Sequence, residues 1–428
     1  MTSRDSLVVL ILIFGSHLII AQSSVTGSLK DKATNEPIIG ATIFIENTTI
    51  TTVSNQKGAF ELKDIPIGFN KVIVSHVAYN TYTGKVSSNP ILNIFLSPLV
   101  LQLEEAEVSN KADRQWKRLF SQFEKAFLGN SINAKQSKIL NPWVVELDRD
   151  SNGKIIGYST DFIQIENRGT GYIIRFLLDK VELQNDQITY VGKPFFSILE
   201  ARNEAEKSKW DKNRLRTYLG SKQHFLYALS NDKLDSLGYE ISHVKFDDKK
   251  KTFTNQKRLT RDQFFSNGTL QYNDFLGIRY NKEAPESNFI NDQNSSFSMA
   301  YKGPDKKMMP NGINFSNGPE GNVQVSYLFN RASKVTLNEL GQVKNPEYLL
   351  EYGYWSWERI TELMPIEYHL NYISQLKASS IQEKNDPRSI VRPQQEKNGF
   401  KLTNLLIPED EIVSGGVRKD GIPAINNP

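Results

Sequence analysis

The sequence predicts a β-rich α+β fold, in which a small β-sandwich precedes a larger β domain with inserted helices. Three observations carry that prediction. Residues 25–97 are filled by short apolar or alternating runs, VTGSL, ATIFI, AFEL, KVIVSHVAY and ILNIFL, with turn residues between them. A helix-period stripe follows, with Trp116, Leu119, Phe120, Phe123 and Phe127 on one face and Gly129 as its stop. From 141 onward strand patterns return, broken by a helical stretch at 204–237. At 428 residues the chain is long enough for two or three domains. Hydrophobic residues make up 39%, which is enough to bury substantial cores.

The first 21 residues stand apart. MTSRDSLVVLILIFGSHLIIAQSS has one early charge at Arg4, an apolar run of 14 residues from Leu7 to Ile20, and then small and polar residues. This is the pattern of a secretory signal peptide cut after Ala21. The run is shorter than the ~20 residues needed to span a bilayer, so the expectation is an exported chain with no membrane span. Exported chains often carry disulfides, but this one has no cysteine. Each domain must stand on its core alone.

In order along the chain, 25–97 reads as the sandwich, 98–112 as a linker, 113–374 as the β-rich domain and 375–428 as a polar tail. In GYIIRFLLDKVEL, Tyr172, Ile174, Phe176 and Leu178 share a face opposite Arg175 and Asp179. In YWSWERITELMP, Ser356 reads as a helix cap and Pro365 as a stop. The formal charge is +4, and the densest basic run, KFDDKKKTFTNQKR, is diluted by Asp247 and Asp248. It reads as a solvated hairpin or loop, and no nucleic-acid partner is expected.

Residues 25–97 resemble the carboxypeptidase-regulatory-like domain, a transthyretin-like β-sandwich. The resemblance rests on Gly27, the turn Pro37–Gly40–Ala41, Gly58–Phe60 and Pro66–Gly68. It implies no peptidase activity. Such domains accompany peptidases and open many outer-membrane receptors of the TonB-dependent type. Segments between 115 and 370, among them KWDKNRLRTYLGSKQHFLYAL and GYWSWERITELMP, resemble a large domain of secreted proteins of Gram-negative bacteria that carry the same sandwich. That family implies an architecture and no reaction. IVSGGVRKDGIPAINNP, at 412–428, is similar to part of another secreted family. It reads either as the start of a truncated further domain or as an ordinary tail.

Each candidate chemistry has a competing structural reading. His76, His224, His243 and His369 begin no His-x-x-Glu or His-Glu-x-x-His pattern, and no metal or other cofactor is expected. Asp148, Asp150 and Asn152, with Gly153, match the start of an EF-hand calcium loop, but Ser159 stands where its bidentate glutamate belongs. The competing reading is a two-residue Asn152–Gly153 hairpin turn. In YLGSKQHF, Ser221 and His224 suggest a nucleophile and its base. Helical sequence precedes Gly220, however, which makes Ser221 the cap of a second helix, accepting from the N–H of 223 or 224. Trp210, Arg214, Arg216, Tyr218 and His224 are the candidate ligand-binding set, as an Arg and aromatic lining for an acidic or sugar ligand. Their competing reading is a helix-packing surface.

The function expected from these features is an exported, non-catalytic binding or scaffolding protein of the periplasm or outer-membrane surface, with a protein or glycan of the cell envelope as partner. Two alternatives stay open. One is a glycan- or peptide-acting hydrolase in the second domain. The other is an accessory of TonB-dependent receptors, whose opening segment the sandwich and the connector Leu103–Val108 resemble.

Overall fold

The computed structural model describes residues 22–66, 69, 71–86, 91–99, 110–184, 187–247, 252–289, 323–332, 334–344 and 348–385. The signal-peptide reading at 1–21, most of the connector and the resemblance at 412–428 lie outside the described residues. The protein is β-rich α+β, with several sheets and a β-sandwich at its N-terminal side.

Seven strands form the sandwich: β1 (Gln22–Asp31), β2 (Thr42–Ile45), β3 (Thr51–Val53), β4 (Ala59–Pro66), β5 (Lys71–His76), β6 (Tyr79–Lys85) and β7 (Ile91–Leu96). One sheet has the order β4-β1-β7 and the other β3-β2-β5-β6. β1 runs antiparallel to β4 and parallel to β7. Val25, Leu29, Phe60 and Leu62 from the first sheet meet Ile43, Ile45, Val72 and Val74 from the second. Gly58 takes φ +71° at the turn before β4, which lets Phe60 enter that core.

Alternation along β2 and β5 turns Phe44 and Ile73 away from this core. Both are nevertheless fully buried, because Phe162, Leu177 and Phe195 of the second region cover them. Ring centroids of Phe44 lie 5.5 Å from Phe162 and 4.6 Å from Phe195. Phe162 meets Phe195 edge to face at 5.0 Å. Burying each such side chain is worth roughly 1.5–3 kcal/mol. The outer face of a sandwich sheet is therefore the seam between the two regions.

The second region begins with α1 (Asn110–Leu128) and a six-stranded sheet of β8 (Ser137–Ile139), β9 (Val145–Arg149), β10 (Ile155–Ser159), β11 (Ile163–Asn167), β12 (Tyr172–Gln184) and β13 (Gln187–Ile198). β13 runs along one edge of β12, and β11 and β10 share the other. Tyr172, Ile174, Phe176 and Leu178 face one core. A bulge between Leu178 and Lys180 then shifts the parity, so that Val181 and Leu183 join them. Leu119, Phe123 and Phe127 of α1 cover that face, and Gly129 (φ +84°) closes the helix. The sheet is thus sandwiched between α1 on one side and Phe44 and Ile73 on the other.

Beyond it, α2 (Glu204–Tyr218) and α3 (Lys222–Ser230) precede a five-stranded antiparallel sheet. Its members are β14 (Tyr239–Asp247), β15 (Thr252–Leu259), β18 (Phe275–Tyr280), β19 (Gln324–Asn330) and β21 (Leu349–Gly353), ordered β15-β14-β18-β19-β21. A minor three-stranded sheet is built from β16 (Phe265–Ser266), β17 (Thr269–Leu270) and β20 (Val335–Thr336). The last described helix, Ile366–Asn385, packs Tyr372, Ile373 and Leu376 onto the same core as α3.

Four details differ from the sequence reading. Helix ends at Ser230 and does not continue to 237, because turns follow. The last described helix runs through 374, where the β domain was expected to end. Ser356 sits inside the helical turn Tyr354–Trp357, which Gly353 caps, and its Oγ donates to the Gly353 carbonyl (2.9 Å). The 150–154 loop is a three-residue hairpin with Gly153 at φ +77°, not a two-residue turn.

Candidate functional site

The turn joining β2 to β3 is tied to the second region by backbone hydrogen bonds. Asn47 N–H donates to the Pro194 carbonyl, Phe196 N–H to Thr48 and Ile366 N–H to Asn47, all at 2.9 Å. Thr48 stiffens the turn from within, donating from Oγ1 to Ile45 O (2.8 Å) and accepting from Ile50 N–H (2.9 Å). Glu367, in the first turn of the last described helix, accepts from Thr49 N–H (2.7 Å) and Thr49 Oγ1 (2.8 Å). These contacts leave an open groove of about 480 Å³ between sandwich and helix. Its walls are Thr49–Thr51, the β4 side chains Glu61, Lys63, Asp64 and Pro66, and Glu367, Leu370 and Asn371.

The five residues proposed as one ligand-binding set go to three different places. Trp210 and Arg214 clamp the β11–β12 turn. Trp210 Nε1 donates to Arg168 O (2.9 Å), and Arg214 Nε donates to Thr170 O (2.7 Å) while its guanidinium stacks 4.4 Å over Tyr172. Gly171 (φ +72°) lies so close that a Cβ there would meet the Trp210 ring at 2.3 Å.

Tyr218 and His224 are 1% exposed in the core and line no surface. His369 Nε2 donates to Leu340 O (2.9 Å), so its Nδ1 accepts from Tyr218 Oη (2.6 Å). His224 Nδ1 accepts from Gly220 N–H (3.2 Å) and Tyr239 Oη (2.8 Å). Burial pushes both histidines down, His224 to about 3 and His369 to about 4, so both are neutral. The shared surface expected for Arg216, Tyr218 and His224 does not form. On a helix, Arg216 points roughly opposite to the Trp210–Arg214–Tyr218 stripe.

Ser221 caps α3, with Oγ accepting from His224 N–H at 3.2 Å, and Gly220 (φ +78°) breaks the two helices. Among the described residues no imidazole nitrogen is hydrogen-bonded to Ser221 Oγ. The calcium candidate is engaged locally. Asp150 Oδ1 accepts from Asn152 and Lys154 N–H (2.9 and 2.8 Å), and Asp148 Oδ1 accepts from Arg149 N–H (2.7 Å). Asn152 lies in the hairpin loop. Of the other histidines, His76 Nδ1 accepts from Ala78 N–H (3.1 Å) and His243 Nε2 meets Asp274 (3.0 Å). Among the described residues no group of three His, Cys, Asp or Glu side chains is placed to hold a metal.

Arg216 instead enters a carboxylate cluster that the sequence reading missed. Its guanidinium stands 3.8 Å from Glu286, and its charge also acts on Glu283. Glu362 accepts from Ser131 Oγ, Asn133 Nδ2 (2.7 Å) and Thr217 Oγ1 (3.1 Å). Glu286 accepts from Ile132 N–H (2.8 Å). Burial, reinforced by neighbouring carboxylates, pushes Glu283 up to about 8 and Glu358 well above the ordinary range. Members so far apart in sequence leave no local motif to read.

Residues 25–108 match the family model of the CarboxypepD_reg-like domain. That match takes in the whole of the sandwich core described above and reaches into the connector. No curated protein matches the chain. Among solved structures, a protein of unknown function from Bacteroides fragilis aligns at 10% identity, over 37% of this chain and 65% of that one, with a TM-score of 0.15. A 9R-lipoxygenase from Cyanothece aligns at 12% identity over 50% of this chain and 49% of that one, with a TM-score of 0.16. The alignments span less than two thirds of either chain, and no shared fold follows from such scores. Among the described residues no helix is long and apolar enough to cross a membrane.

Proposed function

We propose that the protein is exported and acts as a non-catalytic binding or scaffolding protein of the cell envelope, in the periplasm or on the outer-membrane surface. The leader pattern of residues 1–21 supports export. The observation that carries the binding reading is the groove. The CarboxypepD_reg-like sandwich is locked to the second region through Phe44 and Ile73, and an open polar cleft lies along the seam. An open cleft with a largely polar lining suits recognition of a protein or glycan more than enclosure of a reaction.

The test uses the full mature chain as bait in an envelope extract. Deleting 25–97 would strip the cover from Phe162, Leu177 and Phe195, so point variants are the cleaner choice. Wild type should retain a protein or glycan that Asp64→Asn and Asn371→Ala lose. Equal retention by the variants contradicts the groove reading. A retained TonB-dependent receptor would identify the accessory role.

One observation favours a hydrolase as the second reading: the cluster of Glu283, Glu286, Glu358 and Glu362 keeps a carboxyl protonated near neutral pH beside other carboxylates. Turnover of glycan or peptide substrates that Glu283→Gln abolishes would support it.

A further inference from the structure

The groove ends at an open sheet edge. In the β2–β3 pair, Ile45 N–H donates to Ile50 O (3.1 Å) and Ser54 N–H donates to Ala41 O (2.9 Å), with Ile43 opposite Thr52. Residues 50, 52 and 54 therefore bond to β2. The backbone groups of Thr51 and Val53 point the other way. Among the described residues no strand pairs with β3 on that side.

Natural edges are usually blunted by charges, proline or bulges. β4 has all three: Glu61, Lys63 and Asp64, Pro66 at its end, and a register shift opposite Ser23–Val25. β3 reads Thr-Thr-Val and has none of them, and Val53 is 57% exposed. The groove beside it is acidic. Lys63 is paired with Glu61 at 3.2 Å. Asp64 has no ion pair among the described residues, while Glu367 Oε1 is engaged by Thr49 and its Oε2 is buried, so Glu367 adds negative charge from the groove wall.

We propose that the groove takes an extended segment of a partner protein, which adds as a strand to the Thr51–Val53 edge and sets a Lys or Arg side chain against Asp64, within the negative field of Glu61 and Glu367. This rests on the binding reading above and specifies its ligand as a basic, extended peptide. Main-chain bonds to Thr51 and Val53 would supply attachment, and the carboxylates would select the charge.

The test pans a random heptapeptide library on the full chain and measures the enriched peptides by fluorescence anisotropy. Enriched peptides should carry Lys or Arg at one fixed position, flanked by β-forming residues. Val53→Pro removes one outward N–H without touching the bonds to β2, and should weaken binding about tenfold. Asp64→Asn keeps a residue that tolerates the φ of +60° found there, and should weaken binding severalfold. Exchange of the Thr51 and Val53 amides should slow when peptide is added to wild type, a readout that does not depend on how the variants fold. No enrichment, or peptides that bind Val53→Pro as well as wild type without slowing that exchange, would overturn the proposal. If Asn371→Ala loses an envelope partner that Val53→Pro keeps, strand addition fails and the binding reading stands. If no partner is retained by any form, the binding reading itself fails.

Discussion

Phe44 of the sandwich and Phe195 of the second sheet meet at a tilt of 31°, with ring centroids 4.6 Å apart. Phe44 sits on the face of its strand that a free sandwich would show to water. Its burial makes the two β regions one mechanical unit and fixes the groove between them. A partner bound in that groove would touch both regions at once.

The cap on α3 can be tested by removing its hydroxyl. Ser221→Ala should cost about 1 kcal/mol of stability, and Ser221→Gly only a few tenths. Urea denaturation measures both. Loss of a function with unchanged stability would instead make Ser221 a reacting group.

The buried histidines set one pH dependence. Their folded pKa values lie below the ordinary value of about 6.5, so the unfolded chain binds more protons between that value and about 3 for His224 or about 4 for His369. Stability is full above pH 6.5 and falls as pH drops, by up to roughly 1.4 kcal/mol per pH unit per histidine. Subtracting the stability profile of His224→Gln from that of wild type should show this slope between pH 6 and 4. A flat difference would contradict it.

Glu283 sets the opposite dependence. Its carboxyl is raised to about 8 by burial, so the folded chain holds a proton that the unfolded chain loses above about 4.5. Its contribution to stability is present below pH 4.5 and is lost as pH rises to about 8. Glu283→Gln should match wild type at pH 4.5 and exceed it in Tm at pH 9. Parallel Tm profiles for the two proteins would contradict the protonated carboxyl.

The elements with local signals were legible. Phe123 and Phe127 showed α1 by their helical spacing, Gly58 and Phe60 showed a turn and a core strand, and Gly220–Ser221 showed a break and a cap. The seam was readable in principle. Ile43–Phe44–Ile45 and Val72–Ile73–Val74 are continuous apolar runs, which mark strands buried on both faces. The five candidate ligand residues do not share one surface, for a geometric reason. Arg216 and Tyr218 are two residues apart on one helix and so leave it on different sides. The groove and the glutamate cluster were hidden because they depend on tertiary contacts, such as Thr49 with Glu367 or Arg216 with Glu286, between residues remote in sequence.

Phe44 docks the sandwich against the second sheet, and a double-mutant cycle between Phe44 and Phe195 measures that contact. Stabilities of wild type, Phe44→Ala, Phe195→Ala and the double variant would be measured by urea denaturation. Each single change should cost about 3–5 kcal/mol, and the double variant should cost less than their sum by about 1 kcal/mol. Strict additivity would mean that the two rings do not meet, and it would contradict the seam and the groove built on it.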